Sequence, residues 1–161
     1  MGIEVRHIRD EESGWARQIL RDHWASEVVV TRGRAHRADR LPALVCMREG
    51  RRAGLLIYRI EEDECEIVTL NALERSVGIG TALLQEACGL ARAASCWRIW
   101  VITTNDNTPA IRFYERRGFT LARVHRGAIE SSRRLKPEIP LRGIGGVPIR
   151  DEVELELRLG P

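Results

Sequence analysis

The alternation of apolar and polar residues predicts strands near both ends of the chain. Residues 3–8 read I-E-V-R-H-I and predict an opening strand, and residues 151–159 read D-E-V-E-L-E-L-R-L and predict a final strand with one face in water. Residues 43–48, residues 53–60 and the run that begins at Cys65 are further strand-like segments separated by short polar turns. Strands joined by tight turns predict an antiparallel meander.

Apolar residues at helical spacing predict two helices that pack on this sheet. Residues 11–25 and residues 81–95 each place their apolar side chains on one face. Residues 97–103 are almost continuously apolar, which is typical of a central strand covered on both faces and reached through a right-handed crossover helix. A shorter helix is predicted between Asn107, a good N-cap residue, and Gly118, a common C-terminal stop.

The remaining segments complete one domain. Residues 28–30 form a short β-branched run, residues 119–125 resume a strand, residues 128–135 are a short helical patch, and residues 142–148 are a Gly-rich segment that we expect to be a flexible loop. The pattern predicts a single α/β (α+β) domain over residues 1–161, with a mixed, mainly antiparallel sheet of about six or seven strands and flanking helices.

The composition is that of an ordinary globular protein. Of the 161 residues, 43% are hydrophobic and 30% are charged, and no apolar run approaches the roughly 18 residues of a membrane span. The N-terminal residues carry charge where a signal peptide needs an apolar stretch, so we expect a cytoplasmic protein without membrane contact. The 4 cysteines lack CxxC spacing, and His36 and His125 have no neighbours at ligand spacing, so no metal site is expected.

The charge does not favour a nucleic-acid partner. The formal net charge is only +3, and the 26 Lys and Arg residues, nearly all of them Arg, are spread along the chain. The densest basic run, T-R-G-R-A-H-R-A-D-R over residues 31–40, is interpreted as a solvated loop, with contact to an anionic ligand as the alternative.

The segment at residues 66–84 carries the candidate chemistry. It reads as an apolar strand, a loop with two glycines and the start of a helix, and a helix that follows a strand in this way directs its unpaired N–H groups at an anion, usually phosphate. The P-loop string is absent, and Leu83 stands where a dinucleotide-binding fingerprint needs its third glycine.

Two blocks of sequence resemble the GNAT superfamily of acyl-CoA-dependent N-acetyltransferases. Residues 75–80, R-S-V-G-I-G, match the family signature R/Q-x-x-G-x-G/A, and residues 107–119, N-T-P-A-I-R-F-Y-E-R-R-G-F, resemble its second block at the right distance downstream. The resemblance covers residues 66–119 closely and implies a GNAT-like fold that uses acetyl-CoA as co-substrate.

The resemblance assigns the donor side of the reaction. It implies that backbone N–H groups from about Val77 to Thr81 bind the pyrophosphate of the cofactor, that Arg75 adds positive charge, and that the strand before the loop pairs with the pantetheine arm. Ala72 stands where the family often has proline, but the contact is made by the backbone. The expected cofactor-binding residues are Leu70, Ala72, Arg75, Ser76, Val77, Gly78, Ile79, Gly80, Thr81 and Asn107.

The resemblance also assigns two catalytic residues. Tyr114 occupies the position of the family's general acid, since a phenol stays protonated at neutral pH and can protonate the departing thiolate. An amine must lose a proton before it attacks, and Glu66, set against an apolar run, is the expected base; Glu64 and a water chain are the alternatives.

The acceptor stays open at this point. The implied activity is direct transfer of an acetyl group to a primary amine of a small molecule or a protein, and the segments at residues 28–40 and 126–151 are expected to frame the acceptor side. A regulatory acyl-CoA-binding domain without catalysis and an Arg-rich nucleic-acid-binding protein are the alternatives. The regular final strand could pair with a second copy, so a homodimer is possible.

Overall fold

The computed structural model describes residues 2–75 and 77–160, and Ser76 therefore lies outside the described residues. The strands are β1 (Ile3–His7), β2 (Val28–Thr31), β3 (Arg34–Arg37), β4 (Ala43–Arg48), β5 (Arg51–Glu61), β6 (Glu64–Ala72), β7 (Arg98–Thr104), β8 (Thr120–His125) and β9 (Glu152–Arg158). Seven of these strands form one sheet in the order β1-β4-β5-β6-β7-β9-β8, in which β6 and β7 are parallel and all other neighbours are antiparallel. β2 and β3 form a separate hairpin.

The described residues form four α-helices. They are α1 (Ser13–Trp24), α2 (Ile79–Ala93), α3 (Thr108–Glu115) and α4 (Ala128–Leu135). α2 packs on one face, where it shares a core with residues of β4 to β7, and α1 packs on the other face with the β2–β3 hairpin. Among the described residues, no helix combines the length and the apolar character needed to cross a membrane. The predicted α/β fold with a mixed, mainly antiparallel sheet is confirmed.

Gly54 lets α2 approach the sheet closely. A Cβ atom at this position on β5 would lie 2.5 Å from Cγ2 of Ile79 and 3.0 Å from Cδ1 of Leu83. Both residues belong to the first two turns of α2 and are buried. The position of the N-terminus of α2 therefore depends on a glycine, which has no side chain, at position 54 of the strand beneath it.

The basic run at residues 31–40 is not the solvated loop predicted from its composition. Residues 31–37 turn back as the β2–β3 hairpin through a turn at Arg32 and Gly33, and His36 is buried. The hairpin covers the sheet on the α1 face, and its arginines point outward. The composition indicated polarity correctly, but the β-branched residues before the glycine carried the hairpin signal.

The final strand is also different from its prediction. β9 lies between β7 and β8, and Glu152 and Glu154 are only 2% and 5% exposed, so the predicted water-facing side is buried along most of the strand and is exposed at its end, at Arg158. Alternation alone could not show this, because buried carboxylates with nearby cations look like solvated ones in a sequence. Both edges of β9 are occupied, so it cannot pair with a second copy.

The segment predicted as a flexible loop is held against β7. The buried carboxylate of Asp106 accepts a hydrogen bond from the N–H of Ile144 at 2.9 Å. A Cβ atom at Gly143 would collide with the same carboxylate, at 1.9 Å from Oδ2. This anchor places the segment beside the end of β7.

Candidate active site

Strands β6 and β7 separate in the middle of the sheet. They pair only from Glu64 to Ile67 on β6. Beyond that point residues 68–72 stay with β5, while residues 102–104 stay with β9. The backbone of this part of β6 thus has one edge that no strand among residues 2–75 and 77–160 occupies, and a wedge opens between the two strands.

A β-bulge marks the point of separation. Ile67 lies opposite Tyr58 and Thr69 lies opposite Ile57, so Val68 is an extra residue in β6. A bulge bends its strand and re-aims the side chains around it, and bulges often occur next to active sites. Leu70 and Ala72 follow the bulge along the open edge, Leu70 half-buried and Ala72 exposed.

The Gly loop ends at the N-terminus of α2, beside the wedge. Gly78 is the N-cap residue with φ +84°, a conformation that glycine adopts without strain. The N–H groups of the first turn, Ile79 to Thr81, are those that a helix leaves without internal partners. The predicted anion site is thus a helix start held in place by Gly78.

Gly80 allows α2 to pack closely on α3, in addition to leaving the backbone accessible to a ligand. A Cβ atom here would lie 3.0 Å from two ring carbons of Phe113 on α3. The second glycine of the motif therefore lets α2 and α3 touch, a role that the sequence analysis did not assign to it.

Two arginines lie near this helix start. Arg75 is exposed in the loop, as expected for a residue that meets an anion. Arg117, which the sequence analysis missed, donates two hydrogen bonds to Oγ1 of Thr81 at 2.9 and 2.7 Å and stacks over the ring of Phe113 at 3.7 Å. The oxygen of the Thr81 hydroxyl therefore accepts from Arg117, and its own proton and the backbone N–H are left for an anion.

Asn107 caps α3 and faces a cavity. Its Oδ1 accepts a hydrogen bond from the N–H of Ala110 at 3.3 Å, as predicted for an N-cap residue. The cap uses Oδ1 only, and Asn107 also belongs to the wall of the large cavity described below. Both roles considered for this residue are compatible with its position.

Tyr114 is buried in the core on the α2 face. Its ring contacts those of Phe113 and Phe119, with centroids 5.1 and 5.2 Å away. Burial raises the pKa of the phenol, so the hydroxyl is protonated at neutral pH. Leu70, on the open edge of β6, packs against the same core cluster as Tyr114.

The central cavity, with a volume of about 480 Å³, lies at the mouth of the wedge. Val68 of β6 and residues 102–104 of β7 line it, so both sides of the wedge contribute to its wall. The rest of the wall comes from the end of α1, from β2, from α4 and from the segment after α4. The apolar part of the wall consists of Trp24, Ala25, Val29, Val30, Val68, Ile102, Ile129, Ile139, Pro140 and Ile149.

Lys136 closes one side of the central cavity. Its Nζ donates hydrogen bonds to the backbone carbonyls of Trp24 and Val28, the latter at 2.7 Å. These bonds join the segment after α4 to the connection between α1 and β2. Burial lowers the pKa of Lys136.

Glu66 lies under the hairpin, in a network of buried polar groups. Oγ1 of Thr31 donates to its Oε2 at 2.8 Å, and Nε of Arg59 donates to its Oε1 at 2.8 Å. Nε2 of His36 lies 2.9 Å from Oγ1 of Thr31, and because that hydroxyl gives its proton to Glu66, the histidine is the donor. Burial raises the pKa of Glu66 and outweighs these hydrogen bonds.

Glu152 is a second buried carboxylate, and it lines the central cavity. Its Oε1 accepts a hydrogen bond from the N–H of Arg32 in the hairpin turn, at 3.0 Å. Burial raises the pKa of Glu152 and outweighs this bond, and the negative charge of Glu66 adds to the effect.

The missed residues have different signals in the sequence. The hairpin of Thr31 and His36 could have been found from the pattern of three valines and a threonine followed by an Arg-Gly turn. No local pattern indicates that Glu152 faces Arg32 across 120 positions. Among the described residues, no group of three or more His, Cys, Asp or Glu side chains could hold a metal ion.

Comparison with known proteins agrees with this architecture. Residues 5–119 match the acetyltransferase (GNAT) family. The uncharacterized protein YdhI of Bacillus subtilis (strain 168) is 41% identical over 143 residues, which are 86% of this chain and 89% of that protein.

Solved structures show the same fold. An IAA acetyltransferase from Bacillus cereus ATCC 14579 superposes with a TM-score of 0.73 at 18% identity, covering 98% of this chain and 100% of that one. A Bacillus subtilis acetyltransferase in complex with CoA gives a TM-score of 0.69 at 18% identity, with 98% of each chain covered. The chain described here therefore belongs to the GNAT family of acetyltransferases.

Proposed function

We propose that this protein is a cytoplasmic enzyme that transfers the acetyl group of acetyl-CoA directly to a primary amine. The observation that carries the proposal is the wedge between β6 and β7, which ends at the glycine-capped start of α2. One edge of β6 offers backbone groups to an extended amide-containing arm, and the helix start offers N–H groups to a pyrophosphate. CoA has these two parts in this order.

The proposed donor site uses the residues predicted from the sequence. The pyrophosphate binds the N–H groups of the loop and first turn, with Arg75 supplying charge, and the pantetheine arm pairs with the backbone of Leu70 and Ala72. The side chain of Asn107 contacts the arm. The remaining members of the pyrophosphate site are Ser76, Val77, Gly78, Ile79, Gly80 and Thr81.

The proposed chemistry needs a base and an acid. The nitrogen of the acceptor loses a proton and attacks the carbonyl carbon, the C–S bond breaks, and the thiolate takes a proton from the hydroxyl of Tyr114. The base belongs to the pair of buried carboxylates, Glu66 and Glu152, that lies beside the mouth of the wedge. Since the acyl group passes directly between the two substrates, none of the four cysteines, all of which are buried, is required.

The first experiment separates binding from turnover. Acetyl-CoA is expected to raise the melting temperature of the protein, and a panel of amines is then screened for thiol release from acetyl-CoA. Arg75→Ala is expected to weaken the thermal shift, whereas Arg158→Ala, at the end of β9, serves as the matched control. A protein that acetyl-CoA does not stabilise would contradict the proposed cofactor, and stabilisation without turnover of any amine would favour a regulatory acyl-CoA-binding domain.

A further inference from the structure

The two buried carboxylates differ in what they can reach. Glu66 is 1% exposed and has a hydrogen-bond donor on each of its oxygens, Thr31 on one and Arg59 on the other. It does not line the central cavity; it lines a separate polar cavity of about 290 Å³ on the other side of Thr31. An amine in the central cavity would find the hydroxyl of Thr31 between itself and Glu66.

Glu152 has an oxygen available on the cavity side. Its Oε1 holds the N–H of Arg32, and the residues that the structure describes place no hydrogen-bond donor on its Oε2. In register, Glu152 pairs with Thr104 at the end of β7, and Thr104 lines the same cavity on the β7 side of the wedge. The carboxylate therefore stands where an acyl group carried along β6 would meet an acceptor.

The charges around the cavity favour a cation. Two of its basic side chains already have partners, since Lys136 is bound to two carbonyl groups and Arg21 forms an ion pair with Glu27 at 2.7 Å; His23 is the third. By contrast, Glu152 at the buried end has no ion-pair partner among the described residues, and the exposed carboxylates Asp22 and Glu138 also line the cavity.

The shape favours a compact molecule. A volume of about 480 Å³ is within the range of small-molecule sites, and most of the wall is apolar. The bonds from Lys136 tie α4 to the end of α1 on one side of the cavity, which limits the room for an extended polypeptide.

We propose that the central cavity binds a small primary amine that carries an apolar body and no carboxylate, and that Glu152 binds its ammonium group and takes its proton. This inference rests on the proposed acetyl transfer. One N–H bond of the ammonium group breaks toward Oε2 of Glu152, the freed nitrogen forms the C–N bond with the acetyl carbon, and the C–S bond breaks as the sulfur takes the proton of Tyr114. The nitrogen then loses its second proton, which restores the hydroxyl of Tyr114. The proton on Glu152 then passes to solvent through the mouth of the cavity.

Several charged groups face Glu152 and set its proton affinity. Arg32 comes from the hairpin, His125 lies opposite it on β8, and Glu66 comes from β6. The positive charge of Arg32, and that of His125 whenever its ring is protonated, favours the ionised form of Glu152, and the charge of Glu66 opposes it. Glu66 therefore acts on the amine through Glu152, as a group that keeps Glu152 able to hold a proton.

The substrate class is tested with matched acceptors. The probes are 2-phenylethylamine, phenylalanine, which differs from it by one carboxylate, and a tripeptide with a free N-terminus. We expect kcat/KM for 2-phenylethylamine to exceed the other two values by at least about tenfold. A preference for phenylalanine or for the tripeptide would overturn this inference. So would turnover of none of the three amines by a protein that acetyl-CoA stabilises. If acetyl-CoA does not stabilise the protein, the proposed function is refuted instead.

The role of Glu152 is tested by the pH dependence of two variants. With the acceptor that is turned over fastest, the wild-type kcat/KM should level off above the pKa of its base. Glu152→Gln keeps an oxygen for the N–H of Arg32, so it should fold and bind acetyl-CoA, but we expect its rate at neutral pH to fall by about 100-fold or more. Its rate should rise about tenfold per pH unit toward the pKa of the amine, because the free amine must then be supplied by solution.

Glu66→Gln is the comparison. It should keep the plateau, with the acidic limb moved to lower pH, because Glu152 loses the negative charge beside it. Loss of the plateau in Glu66→Gln together with its retention in Glu152→Gln would refute the assignment. If Glu152→Gln does not fold, Glu152→Asp replaces it: a slower enzyme that retains the plateau agrees with the proposal, and an unchanged rate contradicts it.

Discussion

Replacing Gly54 by alanine should weaken the proposed cofactor site by displacing the first turn of α2, which packs on Gly54. The added Cβ would lie 2.5 Å from Cγ2 of Ile79, 3.0 Å from Cδ1 of Leu83 and 3.0 Å from the backbone oxygen of Asn71. Ile79 can yield only by moving the first turn of α2, because it is fully buried between the helix and the sheet. Overpacking of this kind costs about 1–3 kcal/mol, which for a chain of this length corresponds to a melting temperature roughly 3–10 °C lower.

The same shift should weaken acetyl-CoA binding, since the displaced turn carries the proposed pyrophosphate site. Urea unfolding and titration with acetyl-CoA measure the two effects on Gly54→Ala. Gly89→Ala is the matched control, because it lies in the same helix with no atom within 4 Å of the added Cβ, and it should stabilise the protein by about 0.5–1 kcal/mol. Wild-type stability and wild-type acetyl-CoA affinity in Gly54→Ala would refute the reasoning.

Three further predictions concern acid catalysis, the cavity wall and acid stability. Tyr114→Phe should lower kcat by roughly 10- to 1,000-fold with little change in acetyl-CoA affinity; an unchanged rate at saturating substrates would remove Tyr114 from the mechanism. Lys136→Met should leave two carbonyl groups without their donor and lower the free energy of unfolding in urea by about 1–3 kcal/mol. It should also raise KM for the acceptor more than KM for acetyl-CoA. Equal changes in both KM values would argue against a role of Lys136 in the wall of the central cavity. A hydrogen bond from Arg6 and another from Arg52 lower the pKa of Glu12 from 4.5 to about 2, although burial opposes them. The ionised Glu12 therefore adds about 2 kcal/mol to the free energy of unfolding above pH 4.5, and this stabilisation is lost as the pH falls toward 2. Unfolding of Glu12→Gln between pH 7 and 2.5 should show a correspondingly smaller loss of stability on acidification, and an acid dependence identical to that of the wild type would show that the pair with Arg6 contributes nothing.

The prediction of the donor side rested on local information. Residues 75–80 and 107–119 each form one continuous segment, and the turn that needs Gly78 is a property of neighbouring residues. The structure places both segments beside the wedge, and it starts α2 at Ile79, two residues earlier than the apolar pattern predicted. Helix starts are set by capping, which apolar periodicity does not detect.

The acceptor side was not predictable, because its contacts join residues that are far apart in the chain. Thr31 meets Glu66 across 35 positions, Arg32 meets Glu152 across 120, and Lys136 meets Val28 across 108. Each contact depends on how the hairpin and α4 fold back over the sheet. The sequence located the two segments involved but not the side chains that face each other, and it interpreted the buried carboxylates of β9 as solvated ones.

Strand β9 shows why one of its carboxylates is suited to accept a proton and its neighbour is not. Glu152 and Glu154 are two positions apart, both are buried, and both therefore start from the same tendency toward a raised pKa. For Glu154, hydrogen bonds from Arg98 at 2.7 Å and His125 at 2.9 Å outweigh burial and lower the pKa.

Arg98 cannot serve Glu152 in the same way. Its guanidinium is engaged by Glu154 and Glu156 on β9 and by Glu64 on β6, at the end of the sheet where β6 and β7 are still paired. Glu152 lies at the other end of β9, where the two strands have separated. The opening between β6 and β7 that we propose for the acyl arm thus also leaves one buried carboxylate without a guanidinium partner, so the wedge and the proposed base have a common structural origin.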